Sequence, residues 1–365
     1  MQKLLRFYES SAIRYSGTYC GTELLKFEKT IYEAIIILLF ICICMSCSTE
    51  SHQVSVIGQE VSDSFVRVDE KCVDGLYCIE ECYLRDSLLA CIDRCDSCVF
   101  HAYDLNRNSI LFFFGSKGQG PADFIFPFFL SNIKNDMPLQ VYDVGLGRFK
   151  SLTIEKDSFK LVGSADMPKQ LIGSPNLLKV RGGYAGSFDT GLDGLFFMCP
   201  EGEKGLEWVE APKSLGDYTS GLHLRNRLTV NDSLRCLVVG MYYYNKLFLY
   251  DFEKELCKEV QIGKEEIHPD IRSGEVKDNS VVCCADIQST QEKIYVLLQN
   301  RKIGDRKVSS AYSKILVFDW DLNYEKTYNL PRTAFAIRVD EDNRFLIYLS
   351  KDMEDECVIG RCFLK

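Results

Sequence analysis

The sequence predicts an all-β fold: a six-bladed β-propeller of four-stranded antiparallel blades, closed by the N-terminal strand of the mature chain. Three observations carry the prediction. Short runs of β-branched and aromatic residues recur throughout, drawn from 23 Phe and 19 Tyr in 365 residues, and these types suit a pleated, half-buried surface. A run of apolar residues ending in an aromatic and an Asp returns four times, at 99–104, 139–143, 247–251 and 315–319. Its irregular separations fit a unit of about 40–50 residues. Each copy precedes a polar turn and another strand, so Asp104, Asp143, Asp251 and Asp319 are expected as turn initiators whose carboxylates accept N–H groups two residues onward.

The first segment is expected to be processed. Residues 1–33 carry scattered charges of both signs. The apolar run of 34–44 is far shorter than the roughly 20 residues of a spanning helix, and it fits the core of a secretory signal with a long n-region. Cys44-Met45-Ser46-Cys47 follows directly and resembles a bacterial lipobox, with Cys44 where Leu is usual. Residues 1–46 are therefore expected to be a lipoprotein-type signal peptide, Cys47 the lipidated N-terminus, 47–60 a short tether and 61–365 the propeller. The implied partner is a membrane, reached through the lipid anchor.

Taken in order, the blades are expected near 72–117, 124–165, 170–212, 217–263, 280–331 and 333–364. In the first, Val99, Phe100 and Tyr103 form one strand and 110–114 the next, with polar 105–109 as the turn between them. Gly115, Gly118 and Gly120 permit backbone angles closed to other residues, and Pro121 cannot continue a central ladder, so the chain must leave the sheet there. The last blade lacks a strand. Either Val54–Ile57 or 64–68 is expected to pair with it and close the ring, which removes exposed edges.

With these residues assembled, the chain resembles the TolB-like six-bladed β-propeller lipoproteins of Bacteroidetes over most of 60–365. The most specific match is Phe114-Gly-Ser-Lys-Gly-Gln-Gly-Pro-Ala-Asp-Phe124, similar to the family phrase F-G-x-K-G-Q-G-P-G-E-F, with Ala122 and Asp123 in place of Gly and Glu. Asp86-Ser-Leu-Leu89, Val141-Tyr-Asp143, Asp286-Ile287 through Ile294-Tyr-Val-Leu297 and Ile315-Leu-Val-Phe-Asp-Trp-Asp321 support it. The resemblance implies an outer-membrane or other envelope scaffold with no shared catalytic set.

Chemistry is sparse. The formal charge of −9 opposes nucleic acid as a partner. Gly115-Ser-Lys-Gly118 lacks the Gly-Lys-Ser/Thr ending of a phosphate loop. The run from Asp319 has Tyr324 and Leu330 where a calcium loop needs Gly and Glu. The four histidines stand alone in sequence, and no catalytic residue, metal ligand or cofactor is assigned. Cys72, Cys78, Cys82, Cys91, Cys95 and Cys98 cluster, so a zinc site, a disulfide or buried thiols remain open. Two functions follow: a non-enzymatic binding or scaffold module for a protein, peptide or glycan, and a metal-dependent propeller hydrolase or lyase of the lactonase type, which needs convergent carboxylates in the channel.

Overall fold

The computed structural model describes residues 54–57, 62–63, 65, 67–76, 78–132, 137–155, 158–189, 193–202, 205–216, 220–305, 312–352 and 356–364. Their regular structure is 28 strands and three single-turn 3-10 helices. Val, Leu, Phe and Ile are the commonest strand residues because each blade is covered on both faces by its neighbours, where these side chains pack well.

The N-terminal strands are β1 (Val54–Ile57), β2 (Ser62–Asp63) and β3 (Arg67–Cys72). Blade one is β4 (Ile79–Arg85), β5 (Leu88–Asp93), β6 (Cys98–Asp104) and β7 (Ser109–Ser116), and blade two is β8 (Pro127–Phe129), β9 (Leu139–Asp143), β10 (Arg148–Ile154) and β11 (Phe159–Asp166). Blade three is β12 (Asn176–Val180), β13 (Gly183–Ser187), β14 (Phe196–Pro200) and β15 (Glu207–Val209). Blade four is β16 (Asn226–Asn231), β17 (Cys236–Met241), β18 (Lys246–Asp251) and β19 (Leu256–Ile262). A two-stranded hairpin of β20 (Ile271–Arg272) and β21 (Glu275–Val276) precedes blade five, made of β22 (Val281–Ser289), β23 (Ile294–Lys302), β24 (Lys314–Phe318) and β25 (Tyr324–Asn329). Blade six is β26 (Ala334–Val339), β27 (Phe345–Lys351) and β28 (Cys357–Phe363), completed by β3.

The first strands of the blades form the inner wall. β4 neighbours β8, β12 neighbours β16, β16 neighbours β22, β22 neighbours β26, and β26 returns to β4; β8 meets β12 through the bridge between Ser131 and Leu178. The circle is complete, and the chain is a six-bladed β-propeller.

The ring closes through β3, which lies antiparallel to β28 from Val358 opposite Cys72 to Phe363 opposite Arg67. This corrects the sequence expectation in two ways. Blade one starts at Ile79, and Cys72 belongs to blade six. Of the two proposed closing segments, Val54–Ile57 instead runs parallel to β19 of blade four, while the second is displaced a few residues to Arg67–Cys72. The reason is visible in the side chains: Arg-Val-Asp-Glu-Lys-Cys is almost wholly exposed, so it lacks the alternation by which buried strands announce themselves. β2 likewise lies parallel to β25 of blade five. The N-terminal segment thus belts blades four, five and six in turn, giving blades four and five a fifth strand.

Apolar side chains fill the spaces between blades. Phe100, Phe124, Phe129 and Leu152 belong to one cluster joining blades one and two; Tyr142, Leu171 and Phe197 join blades two and three. Val238, Val260, Val296 and Phe318 join blades four and five, and Leu89, Tyr103, Ile347 and Ile359 join blades six and one. At about 25 cal/mol per Å² of apolar surface removed from water, these seams stabilise blades that could not shield their own faces.

Candidate functional site: the central channel

The six inner strands enclose a cavity of about 700 Å³ to which every blade contributes lining. Aromatic groups form part of its wall. Phe128 stacks on Tyr142 with ring centroids 5.3 Å apart and meets Phe126 edge-on at 5.2 Å. The Arg94 guanidinium lies 3.8 Å from the Phe126 ring centre and pairs with Glu80.

Charged groups sit where the inner strands turn otherwise apolar sequence inward. Asp286 on β22 bridges two blades: one oxygen accepts the Ile337 N–H at 2.9 Å and the Arg338 Nη1 at 2.8 Å, and the other accepts its neighbour Ile287 N–H at 2.9 Å. Arg338 also donates to the Cys82 and Ile337 carbonyls, so its side chain locks blades five, six and one together. Arg225 pairs with Asp189 at 3.4 Å and lies 4.4 Å from the centre of the Tyr242 ring. Arg227 Nε donates to the Ala285 carbonyl at 3.1 Å, and its Nη1 reaches Asn176 Oδ1 and the Asn226 carbonyl at 3.4 Å each.

Glu81 on β4 accepts the Phe129 N–H at 2.9 Å. Part of its surface opens to the channel, but the protein walls keep bulk water from its carboxyl, and this desolvation outweighs the nearby Arg338 and Arg94 charges. The carboxyl is pushed up to about 7, which makes Glu81 a proton-exchanging group in the neutral range.

None of Asp104, Asp143, Asp251, Asp319, Gly115, Gly118, Gly120 and Pro121 lines this channel. Asp104 Oδ1 accepts the Asn106 N–H at 2.8 Å, Asp251 Oδ1 the Glu255 N–H at 2.9 Å, and Asp319 Oδ1 the Asp321 and Asn323 N–H groups at 3.0 and 2.8 Å. These three cap turns between the third and fourth strands. Asp143 differs: it ends the second strand of blade two, is fully buried, and gathers the N–H groups of Ile125, Phe126, Gly145 and Leu146. Its structural counterpart is Asp93 at the end of β5, which accepts the Cys78 and Cys95 N–H groups. The four sequence copies therefore mix two turn positions; blade three lies between Asp143 and Asp251 without a copy, and the β20–β21 hairpin lengthens the interval from Asp251 to Asp319.

The glycine-rich phrase folds around Asp123. Its carboxylate accepts the Gly120 N–H at 2.8 Å and the Ser116 hydroxyl at 2.7 Å, and a Cβ on Gly118 or Gly120 would meet Asp123 Oδ2 at 2.5 or 2.7 Å. Gly115 has φ +76°, with Phe124 ring atoms 2.9 Å from where its Cβ would stand. Exposed Pro121 forms the corner. The loop seats Phe124, fully buried, in the seam between blades one and two. Cys47 lies outside the described residues.

The cysteine cluster divides. Cys78 and Cys95 form a disulfide with Cα atoms 5.3 Å apart, while Cys82 and Cys91 face each other across β4 and β5 as buried free thiols. Burial pushes the Cys82 thiol up to about 11. Two groups among the described residues bring three donor side chains within 4.8 Å: Cys78, Asp93 and Cys95, where the disulfide occupies both sulfurs, and Cys72, Asp352 and Glu356. In the second, the Cys72 thiol donates to Glu356 Oε2 at 3.0 Å. Neither group belongs to the channel lining.

No family model matches the sequence, and no curated protein matches it. Solved structures do. A member of the DUF4221 family from Bacteroides vulgatus superposes with TM-score 0.57 at 10% identity, covering 84% of this chain and 99% of its own. A Bacteroides fragilis protein described as exported gives 0.53 at 11% identity, covering 86% and 99%. The likeness is one of fold. At these identities it transfers no residue roles.

Glu81, Arg227 and Arg338 are residues that sequence reasoning did not single out, while Asp286 figures there only in a phrase that supports the family resemblance, with no role at a site. A signal was present: Arg227, Asp286 and Arg338 are each the one charged residue in the first strand of a blade, in Asn-Arg-Leu228, Ala-Asp-Ile287 and Ala-Ile-Arg338, while Glu81 is one of two adjacent acidic residues in Ile-Glu-Glu-Cys82.

Proposed function

We propose that the protein is an exported, envelope-anchored lipoprotein whose propeller is a non-enzymatic binding or scaffold module, taking a protein, peptide or glycan through its channel or loop face. The carrying observation is the channel itself: a walled cavity of about 700 Å³ with mixed aromatic and charged lining, the ordinary chemistry of a ligand site. Asp286 and Asp189 are tied to arginines, an arrangement suited to a rigid wall rather than to proton transfer. The lipobox at Cys47 and the exported Bacteroides fragilis neighbour support export and anchoring. So does the Cys78–Cys95 disulfide, because such bonds persist in oxidising compartments.

The alternative, a metal-dependent hydrolase or lyase, draws on Glu81, whose proton affinity suits a general base. It needs a cation among channel carboxylates, and Asp286 already spends both oxygens on Arg338 and two backbone amides. Two measurements test the proposal. Fatty-acid labelling of wild-type and Cys47→Ala cells reports the anchor, and undiminished label in the variant refutes it. Thermal melting with calcium or zinc against melting with glycans and peptides separates the two functions, since any ligand of the native state alone raises its stability. Stabilisation by the bare ion, lost in Asp286→Asn, would favour the metal-dependent enzyme instead.

A further inference from the structure

We infer that the channel takes a ligand carrying a single carboxylate on a ring or apolar body, with Arg227 as the cation that anchors it. The inference rests on the reading of the propeller as a binding module and specifies the ligand's chemistry.

The argument begins with a contrast. Each other arginine of this region has its carboxylate: Arg338 holds Asp286 at 2.8 Å, Arg225 holds Asp189 at 3.4 Å, and Arg94 holds Glu80. Arg227 makes no ion pair among the described residues. Its contacts are neutral, to the Ala285 and Asn226 carbonyls and the Asn176 amide oxygen, and its guanidinium lies 5.2 Å from the centre of the Tyr242 ring. These contacts fix the side chain without neutralising it, and the residue lines the cavity. A half-buried cation held in place with no counter-ion is prepared for an anion, because the ordering cost is met before the ligand arrives.

The charge count favours one carboxylate over a phosphate. With Arg338, Arg225 and Arg94 compensated and Glu81 protonated, one positive charge is left over, and a dianion in this walled site would bring a second charge with no partner. The planar guanidinium fork matches a carboxylate in shape. Half-buried Phe128, backed by the buried Tyr142 ring on which it stacks, and exposed Phe126 offer ring surface in the same lining to a ring or apolar body.

Glu81 supplies a coupling. The groups facing it are Arg338 from β26, Asp286 from β22, Arg94 from the turn after β5, Tyr142 from β9, and the Phe129 N–H of β8. An incoming anion adds negative charge to the same channel, so it favours the protonated Glu81, and binding tightens as pH falls through the neutral range.

The test uses the full chain in detergent, with benzoate and glucuronate as probes, methyl benzoate and glucose as neutral counterparts, and inorganic phosphate, followed by calorimetry and thermal melting at pH 6 and pH 8. The expected result is binding of one or both carboxylates, at least tenfold tighter than the neutral counterpart and than phosphate. It should weaken at least tenfold in Arg227→Gln, while Arg227→Lys keeps part of it. Affinity should rise from pH 8 to pH 6 in the wild type and be flat in Glu81→Gln. Equal binding of the neutral counterparts, unchanged binding in a folded Arg227→Gln, preference for phosphate, or no binding of either carboxylate overturns the inference. Neutral glycans or peptides that bind while carboxylates do not would leave the binding module standing and remove only the anion site; failure of every ligand class would remove both.

Discussion

Glu81 shows how one side chain sets a pH response. In the native state its carboxyl lies near 7, against about 4.3 in an unfolded chain. Between those values the native protein binds more protons than the unfolded one, so stability falls as pH rises from about 4.5 to 7 and stays lower above. Glu81→Gln should flatten that dependence and stabilise the protein at pH 8 by about 1–2 kcal/mol, read from urea melts at pH 5 and pH 8. An unchanged pH profile would show that the carboxyl is normally solvated. Gly115→Ala tests the loop that seats Phe124. The added methyl meets a positive φ and a ring 2.9 Å away, and a loss of about 2–3 kcal/mol is expected. Phe124→Ala should cost about 3–5 kcal/mol through the void it leaves. Gly115 was legible from the sequence as a backbone demand, with φ +76°, whereas Gly118 and Gly120 have no positive φ and are required by the close approach of Asp123, a role the sequence did not disclose, since an acidic residue in a turn looks like any solvated one.

At the level of elements, the inner and middle strands were legible because covered blades demand apolar runs, and blades four and five fall almost where 217–263 and 280–331 placed them. β1 and β3 were not correctly assigned. β3 is an outermost strand whose polar side chains obey no alternation, and the pairing of β1 with β19 rather than with blade six depends on the path of the chain outside the blades, which local pattern does not encode. The two strands should differ in worth. A chain starting at Arg67 keeps the antiparallel closure and should melt as one cooperative unit, while a chain starting at Cys78 leaves β28 with an open edge and should aggregate or lose its sharp transition. Analytical ultracentrifugation and calorimetry of the two forms decide the matter; equal behaviour would mean that β3 does not hold the ring.

For the molecule as a whole, the ring circumference was legible and its hollow centre was not. Residues distant in sequence converge there only after six blades have closed, and spacing along the chain carries no trace of which charged side chains will face each other. The Cys78–Cys95 bond cross-links residues 17 apart, and its loss in Cys78→Ser should lower stability by about 3 kcal/mol, measured against reduced wild type, which should lose the same amount. The belt of β1, β2 and β3 sets the order of rupture under load. A tension applied upstream of residue 54 first shears β1 from blade four, next frees β2 from blade five, and reaches the clasp on blade six last. A pull on the N-terminal segment would thereby reach the circular body only after two lesser attachments had given way.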